Sequence, residues 1–303
     1  MTSASSEKTG YENHVPDRNL AMELVRVTEA AAIAASPWVG YGDKNKADGA
    51  AVDAMRAFMD TVAMDGTVVI GEGERDEAPM LYIGEQLGTG AGPKVDIAVD
   101  PLEGTTLCAK DMPGAIAVMA LAEHGSLLAA PDVYMQKIAI GPGYPQGLVD
   151  LDASPADNIA ALARHKGVDP AQITAIILDR PRHMGLVAAV RETGAGIRLI
   201  SDGDIAGIIH TTSPDETGAD IYLGIGAAPE GVIAAGALRC IGGQMQGRLI
   251  LDSADKRARA VKMGITDPNR KYDMHDMARG DVIVAAESPP EAADQFEATV
   301  VWM

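Results

Sequence analysis

Asp100-Pro101-Leu102-Glu103-Gly104-Thr105-Thr106 places two carboxylates and two hydroxyls at the end of a short apolar run, Val95-Asp96-Ile97-Ala98-Val99. The run reads as a buried strand. Pro101 has no N–H to give to a ladder and is expected to end the pairing. Gly104 admits backbone geometry that a side chain forbids, so the second half reads as a turn. Carboxylates three apart across such a turn can point at one spot, where they repel unless a cation or proton lies between them. Hard oxygen donors suit Mg²⁺ or Mn²⁺ rather than zinc or copper. A plain surface turn explains Pro101 and Gly104, but not why acids and hydroxyls crowd the end of a buried strand.

Other chemically capable groups also stand at strand exits. Thr67-Val68-Val69-Ile70 runs straight into Gly71-Glu72-Gly73-Glu74-Arg75-Asp76-Glu77. A dinucleotide loop is disfavoured, because Asp76 stands where a third glycine is needed and the acids would repel a pyrophosphate. Glu74, Asp76 and Glu77 read as a solvated acidic loop, and Glu72 as a metal ligand. Asp48 opens a helix and, taken alone, reads as its N-cap. Asp179-Arg180-Pro181-Arg182-His183 follows a strand. Its two arginines can fork onto a phosphate, or belong to a solvated loop that caps the next helix. The acids of Ser201-Asp202-Gly203-Asp204 can accept from sugar hydroxyls or cap a helix. Glu230, in a first helical turn, is ordinary dipole chemistry taken alone.

The elements that must position these groups can be placed from periodicity. Leu20, Leu24, Val27 and Ala31 recur at helical spacing after Asp17, and Ser36-Pro37 stops that helix. A polar loop spans Gly40 to Gly49, and a second helix carries Ala51, Met55, Phe58 and Val62 on one face. A short helix is expected around Met80 to Leu87. Ala115 to Ala122 and Val133 to Ile140 read as strands. From Leu151 onward helices (157–165, 183–191, 204–210, 230–240) alternate with strands (173–178, 197–200, 220–223). That alternation predicts βαβ units around a mostly parallel sheet. The expected organisation is a mobile tail over 1–16, an N-terminal α+β domain over 17–150 and a C-terminal α/β domain over 151–303.

Bulk properties narrow the function. With 303 residues, 47% of them apolar, the chain can bury a sizeable core. A net charge of −18 disfavours nucleic acid and anionic membranes as partners. An acidic protein that handles an anionic substrate needs local cations, from metal or from Arg and Lys. Cys108 and Cys240 form neither a disulfide framework nor a zinc pattern, which points to a cytoplasmic location. No apolar run is long enough to span a membrane, and the polar stretch from Met1 to Val15 does not read as a secretory signal.

The order of these pieces resembles the lithium-sensitive sugar-phosphatase superfamily, and within it the class II fructose-1,6-bisphosphatases. The resemblance is carried by Gly42-Asp43-Lys44-Asn45 through Asp48-Gly49-Ala50-Ala51, by Gly71-Glu72-Gly73-Glu74 through Asp76-Glu77-Ala78-Pro79-Met80, and by Val99-Asp100-Pro101-Leu102-Glu103-Gly104-Thr105. Ala130-Pro131-Asp132-Val133-Tyr134-Met135-Gln136-Lys137 and Ala228-Pro229-Glu230-Gly231 fit as well. The resemblance implies a layered α/β sugar-phosphatase fold of the inositol monophosphatase and fructose-1,6-bisphosphatase type, with an N-terminal α+β half and a C-terminal α/β half. It implies metal-dependent hydrolysis of the 1-phosphate of fructose 1,6-bisphosphate, and of sedoheptulose 1,7-bisphosphate as a second substrate, in gluconeogenesis or the Calvin cycle. By the same resemblance Asp48 and Glu72 would hold one Mg²⁺ or Mn²⁺ and Asp100, Glu103 and Glu230 another. Thr105 would orient the attacking water, with Glu72 and Asp100 beside it in catalysis. Glu103, Gly104, Thr105, Tyr134, Arg180, Pro181, Arg182, Asp202, Gly203, Asp204 and Ala227 would contact the sugar bisphosphate. A homo-oligomer, dimer or tetramer, is implied too.

The chain departs from the family pattern in three places. Arg180 stands where the family usually has Lys, Ala227 where it has Gly, and the residues from Ser288-Pro289-Pro290-Glu291 onward diverge. None of the assigned ligands is touched. Two other readings exist: a relative acting on inositol or nucleotide phosphates, and a catalytically silent regulatory relative. The Arg-Pro-Arg loop favours a doubly phosphorylated substrate over the first, and the intact acids argue against the second.

Overall fold

The chain threads two six-stranded sheets in turn and then returns to the first. The structure, a computed structural model, describes residues 18–73, 80–287 and 298–301. The expectations for the N-terminal tail, Asp17, Glu74, Asp76, Glu77 and the Ser288–Glu291 segment lie outside these residues. The order is α1 (Arg18–Ala35), α2 (Lys44–Met59), β1 (Asp65–Ile70), β2 (Gln86–Leu87), β3 (Lys94–Glu103), α3 (Thr105–Ala109), β4 (Ile116–Glu123) and β5 (Tyr134–Ile140). Next are α4 (Pro155–Lys166), β6 (Thr174–Leu178), α5 (Met184–Glu192), β7 (Gly196–Ile200), α6 (Asp204–His210), α7 (Pro214–Thr217), β8 (Ile221–Ala227) and α8 (Ala228–Ile241). Then come β9 (Gln244–Leu249), α9 (Ala254–Lys262), β10 (Tyr272–Asp273), α10 (Met274–Met277), β11 (Val282–Glu287) and β12 (Ala298–Val301).

The first sheet has the order β12-β11-β4-β3-β1-β2 and the second β10-β9-β5-β8-β6-β7. The expected mostly parallel second sheet is instead mixed. Only β6 runs parallel to its neighbours β7 and β8, whereas β5 runs antiparallel to both β8 and β9. The reason is topological: β5, which precedes residue 150, already belongs to the second sheet and reverses its direction. β11 and β12 return to the first sheet, so the sheets do not divide the chain at 150.

Packing obeys the sequence pattern and gives alternating layers. α1 and α2 turn Leu24 and Met55 onto Ile97 and Met119 of the first sheet. α8 is apolar nearly all round (APEGVIAAGALRCI), the composition of a helix buried on every side. It lies between the sheets. A Cβ at Gly236 would touch Val282 and Val284 of the first sheet, and one at Gly231 would strike Met135 Sδ of the second at 2.8 Å. α6 shares this middle layer through Ile205 and Ile208. α4 and α5 cover the far face of the second sheet with Ile159, Leu162 and Val190. Among the described residues no helix is long and apolar enough to cross a membrane.

Three local expectations change. α2 begins at Lys44, with Asp43 as N-cap accepting from the Lys46 N–H at 3.1 Å. Asp48 therefore sits in the second turn, its carboxylate not spent on capping, and Phe58 is exposed. No helix forms around Met80–Leu87, because Leu81 takes φ +55° and Gly84 φ +91°, geometries foreign to a right-handed helix. β3 runs through Pro101 to Glu103 rather than ending there. Its register against β4 shifts between Asp100 and Glu103, and the missing N–H falls in that irregularity. The chain then enters the short helix α3, capped by Gly104 in the left-handed region at φ +79°.

Candidate active site

A cleft of about 350 Å³ opens where β1, β3 and β8 end. Asp48, Glu72, Asp100, Glu103, Asp132, Asp202 and Glu230 line it, with Arg259 as the one cation in its wall among the described residues. Thr105 and Gly104 line it too, as does Ala227. So much negative charge in one concavity is tolerated only with counter-ions or protons.

The centre is built from the middle layer. Ligand atoms of Glu103, Asp204 and Glu230 all lie within 4.8 Å of one another. Glu103, at the end of β3, is buried, and its carboxylate accepts from the first amides of α6: Ile205 N–H to Oε1, and Ala206 N–H to Oε2 at 3.1 Å. Asp204 opens α6, and Glu230 lies in the first turn of α8. Burial, with Asp204 and Asp100 beside it, pushes the Glu103 carboxyl well up. Burial and the Asp204 charge push Glu230 up to about 11. Burial would raise Asp204 likewise, but the Lys137 ammonium holds it below the usual carboxylate range. Lys137 Nζ bonds Asp204 Oδ2 and the Ala227 carbonyl at 2.7 Å, and stands 4.0 Å from Glu230 Oε2. Tyr222 O–H also donates to Asp204 Oδ2, at 3.3 Å. Asp204, expected to meet sugar hydroxyls, is thus buried with Oδ2 occupied by Lys137 and Tyr222. It stands beside Glu103 and Glu230, whose carboxyls the Asp100 charge also helps to raise.

Asp48, Glu72 and Asp100 line the adjoining part of the cleft and feel one another's charge. Burial raises the Asp48 carboxyl. Burial and the Asp48 charge raise Glu72 to about 7. Burial, then Glu72 and Asp48, raise Asp100 well above its ordinary range. Glu72 is placed by its backbone, whose N–H donates to Leu81 O at 3.0 Å. A Cβ on Gly71 would lie 2.0 Å from that same oxygen, so the turn needs glycine there. The donor set fits a hard divalent cation: every candidate ligand atom is a carboxylate oxygen, the acids raise one another's pKa, and Asp204 Oδ1 is buried with no hydrogen bond among the described residues.

The expected substrate side stands next to the cleft. Asp202, partly buried, joins the two, its Oδ1 lying 3.6 Å from Arg180 Nη2. Arg180 also donates to Ser201 O at 2.5 Å. Arg182 donates twice to Ile225 O, from Nη2 at 2.7 Å and Nε at 3.2 Å, and its Cζ lies 4.5 Å from the centre of the Tyr134 ring. Pro181 opens the turn between the arginines, and Gly203, buried, caps α6. The two arginines therefore do not fork together but are held on separate partners.

Sequence reading missed Lys137, Asp132 and Arg259. Lys137 carried a signal: it shares a face of β5 with buried Met135 and Ala139, where a lysine must find partners. Arg259 lies on the polar face of α9, and nothing local distinguishes it from Arg257 or Lys262.

Comparison with known proteins places the chain in a family. A family model described as "Bacterial fructose-1,6-bisphosphatase, glpX-encoded" matches residues 18–288. Proteins from Synechococcus sp. strains CC9311 and RCC307 are each 47% identical over 285 residues, covering 90% of this chain and 85% of theirs. One from Prochlorococcus marinus strain NATL1A is 46% identical over the same coverage. All three are named D-fructose 1,6-bisphosphatase class 2/sedoheptulose 1,7-bisphosphatase. With its acids converging at the strand ends and the match running almost end to end, the chain belongs to the class II, glpX-type family of bacterial fructose-1,6-bisphosphatases.

Proposed function

We propose that the chain hydrolyses the 1-phosphate of fructose 1,6-bisphosphate, with sedoheptulose 1,7-bisphosphate as a second substrate, in the cleft between the sheet ends. The observation that carries this is the convergence of Glu103 with Glu230, from opposite halves of the chain, beside Asp48, Glu72, Asp100 and Thr105. Asp48 and Glu72 would hold one Mg²⁺ or Mn²⁺, and Asp100, Glu103 and Glu230 a second, with Asp204 beside them. Bound there, the ions supply neutralisation of phosphoryl charge and acidification of water. Thr105 opens α3 in the cleft wall and its hydroxyl has no hydrogen-bond partner among the described residues, so it is available to orient the attacking water. Arg182 and Tyr134, with Arg180 and Asp202 beside them, hold the sugar and its non-reacting phosphate. Binding energy gained there orients the reacting end.

The two cysteines are buried and free, which supports a cytoplasmic setting. Exposed Met22 and Ile33 on α1 and Phe58 on α2 support assembly into a homo-oligomer. The deciding experiment is phosphate release over a panel of sugar bisphosphates and monophosphates, with and without added Mg²⁺ or Mn²⁺. Divalent-dependent release favouring bisphosphates, lost in Asp100→Ala, is expected. Equal turnover of monophosphates, or turnover surviving in Asp100→Ala, would overturn the reading.

A further inference from the structure

His183 lies outside the cleft, yet it closes the turn that carries both arginines. Its imidazole is buried, 1% exposed. Nδ1 lies 2.7 Å from Leu178 O, and the Ile225 N–H donates to Nε2 at 2.8 Å. These partners fix the tautomer. An amide N–H can only donate and a carbonyl can only accept, so the ring is neutral with its proton on Nδ1. Burial, with the charges of Arg182 and Arg180 nearby, lowers the pKa of His183 and keeps that form.

The two partners are ladder groups. β6 and β8 pair in parallel at Ala175 with Ile221 and at Ile176 with Tyr222. Continued at that register, Leu178 would face Gly224, and the Ile225 N–H would bond directly to Leu178 O. Instead the strands part and the imidazole stands between them, satisfying both groups. Gly224 makes room, since a Cβ there would come within 3.3 Å of His183 Cε1. The next peptide group is gripped from the same turn, because Ile225 O takes both Arg182 bonds. Consecutive residues thus hold the N–H and the C=O of Ile225. Two of the five guanidinium N–H groups of Arg182 are spent on Ile225 O, which leaves three for a ligand.

We propose that His183 is the positioning residue for Arg182: as a neutral wedge between β6 and β8 it sets the spacing at which the guanidinium meets the non-reacting phosphate of the substrate. This rests on the substrate reading above. Gln at 183 can present one acceptor and one donor about as far apart as the two ring nitrogens. Phe keeps the bulk of the ring and removes both bonds.

The test is steady-state kinetics on the full chain with fructose 1,6-bisphosphate and with a sugar monophosphate. His183→Phe is expected to raise KM for the bisphosphate about tenfold while kcat falls by less than about threefold. The preference for bisphosphate over monophosphate should fall by a similar factor, and His183→Gln should restore most of it. His183→Phe combined with Arg182→Ala should be no worse than Arg182→Ala alone. If Arg182→Ala raises KM and His183→Phe does not, the positioning role is overturned and the substrate reading stands. If Arg182→Ala leaves KM unchanged, the phosphate assignment itself fails and the proposal with it. Should His183→Phe not fold, ¹⁵N NMR of the unaltered protein decides: a proton on Nδ1 supports the wedge, and one on Nε2 overturns it.

Discussion

Lys137 Nζ and Asp204 Oδ2 lie 2.5 Å apart with both side chains closed off from solvent. The pair ties the middle of β5 to the start of α6. Through Ala227 O it also fixes the end of β8. The three acids at the centre of the cleft are therefore assembled around a fixed internal cation.

Removing one partner of such a pair strands a buried charge. Lys137→Met should lower stability in urea by about 3–5 kcal/mol. Adding Asp204→Asn removes the stranded charge and should recover part of that loss. If the double variant is no more stable than the single one, the ion pair is not what Lys137 contributes.

Glu72 gives a pH signature. Its folded carboxyl titrates near 7 against an ordinary 4.5. Between these values the folded metal-free protein keeps a proton that the unfolded chain has released. The stability contributed by the Glu72 proton therefore falls as pH rises through that window and is gone above it. Thermal melting of metal-free protein should show the decline, and Glu72→Gln should reduce it. A divalent ion should raise Tm more at pH 8 than at pH 5. An equal rise at both would count against carboxylate ligation.

Gly71 has no room for a methyl group. Its Cβ would lie 2.0 Å from Leu81 O and 2.8 Å from Val68 Cγ1. Gly71→Ala should cost about 1–3 kcal/mol of stability and raise the divalent concentration needed for half-maximal activity, because the turn carries Glu72. Gly49→Ala, inside α2 with nothing among the described residues within 4 Å of the added carbon, should instead stabilise by about 0.5–1 kcal/mol. Similar effects from both would show that the contact with Leu81 O does not decide.

Thr105→Ala should lower kcat by about 10²-fold with little change in KM, and Thr105→Ser should keep most of the activity. A rise in KM alone would make Thr105 a binding group and leave the water without an orienting hydroxyl.

The order of the acids, their place at strand ends and the helical and strand periods were legible in the chain itself, because each depends on residues within about ten positions of one another. Asp100 and Glu103 sit at the end of β3, Glu230 in the first turn of α8, and Arg180 and Arg182 after β6, as the local pattern requires. Local pattern failed where distant contacts overrode it. Leu81 is held left-handed beside β1, Pro101 is carried through a register shift against β4, and β5 crosses into a sheet built mainly from later residues. Sequence therefore determined the order of the acids and the local elements that carry them. Tertiary structure alone decided that Asp204 joins Glu103 and Glu230, that Lys137 is its internal counter-ion, and that His183 parts two strands. Each of those arises from burial and pairing between segments far apart in the chain, which no local spacing encodes.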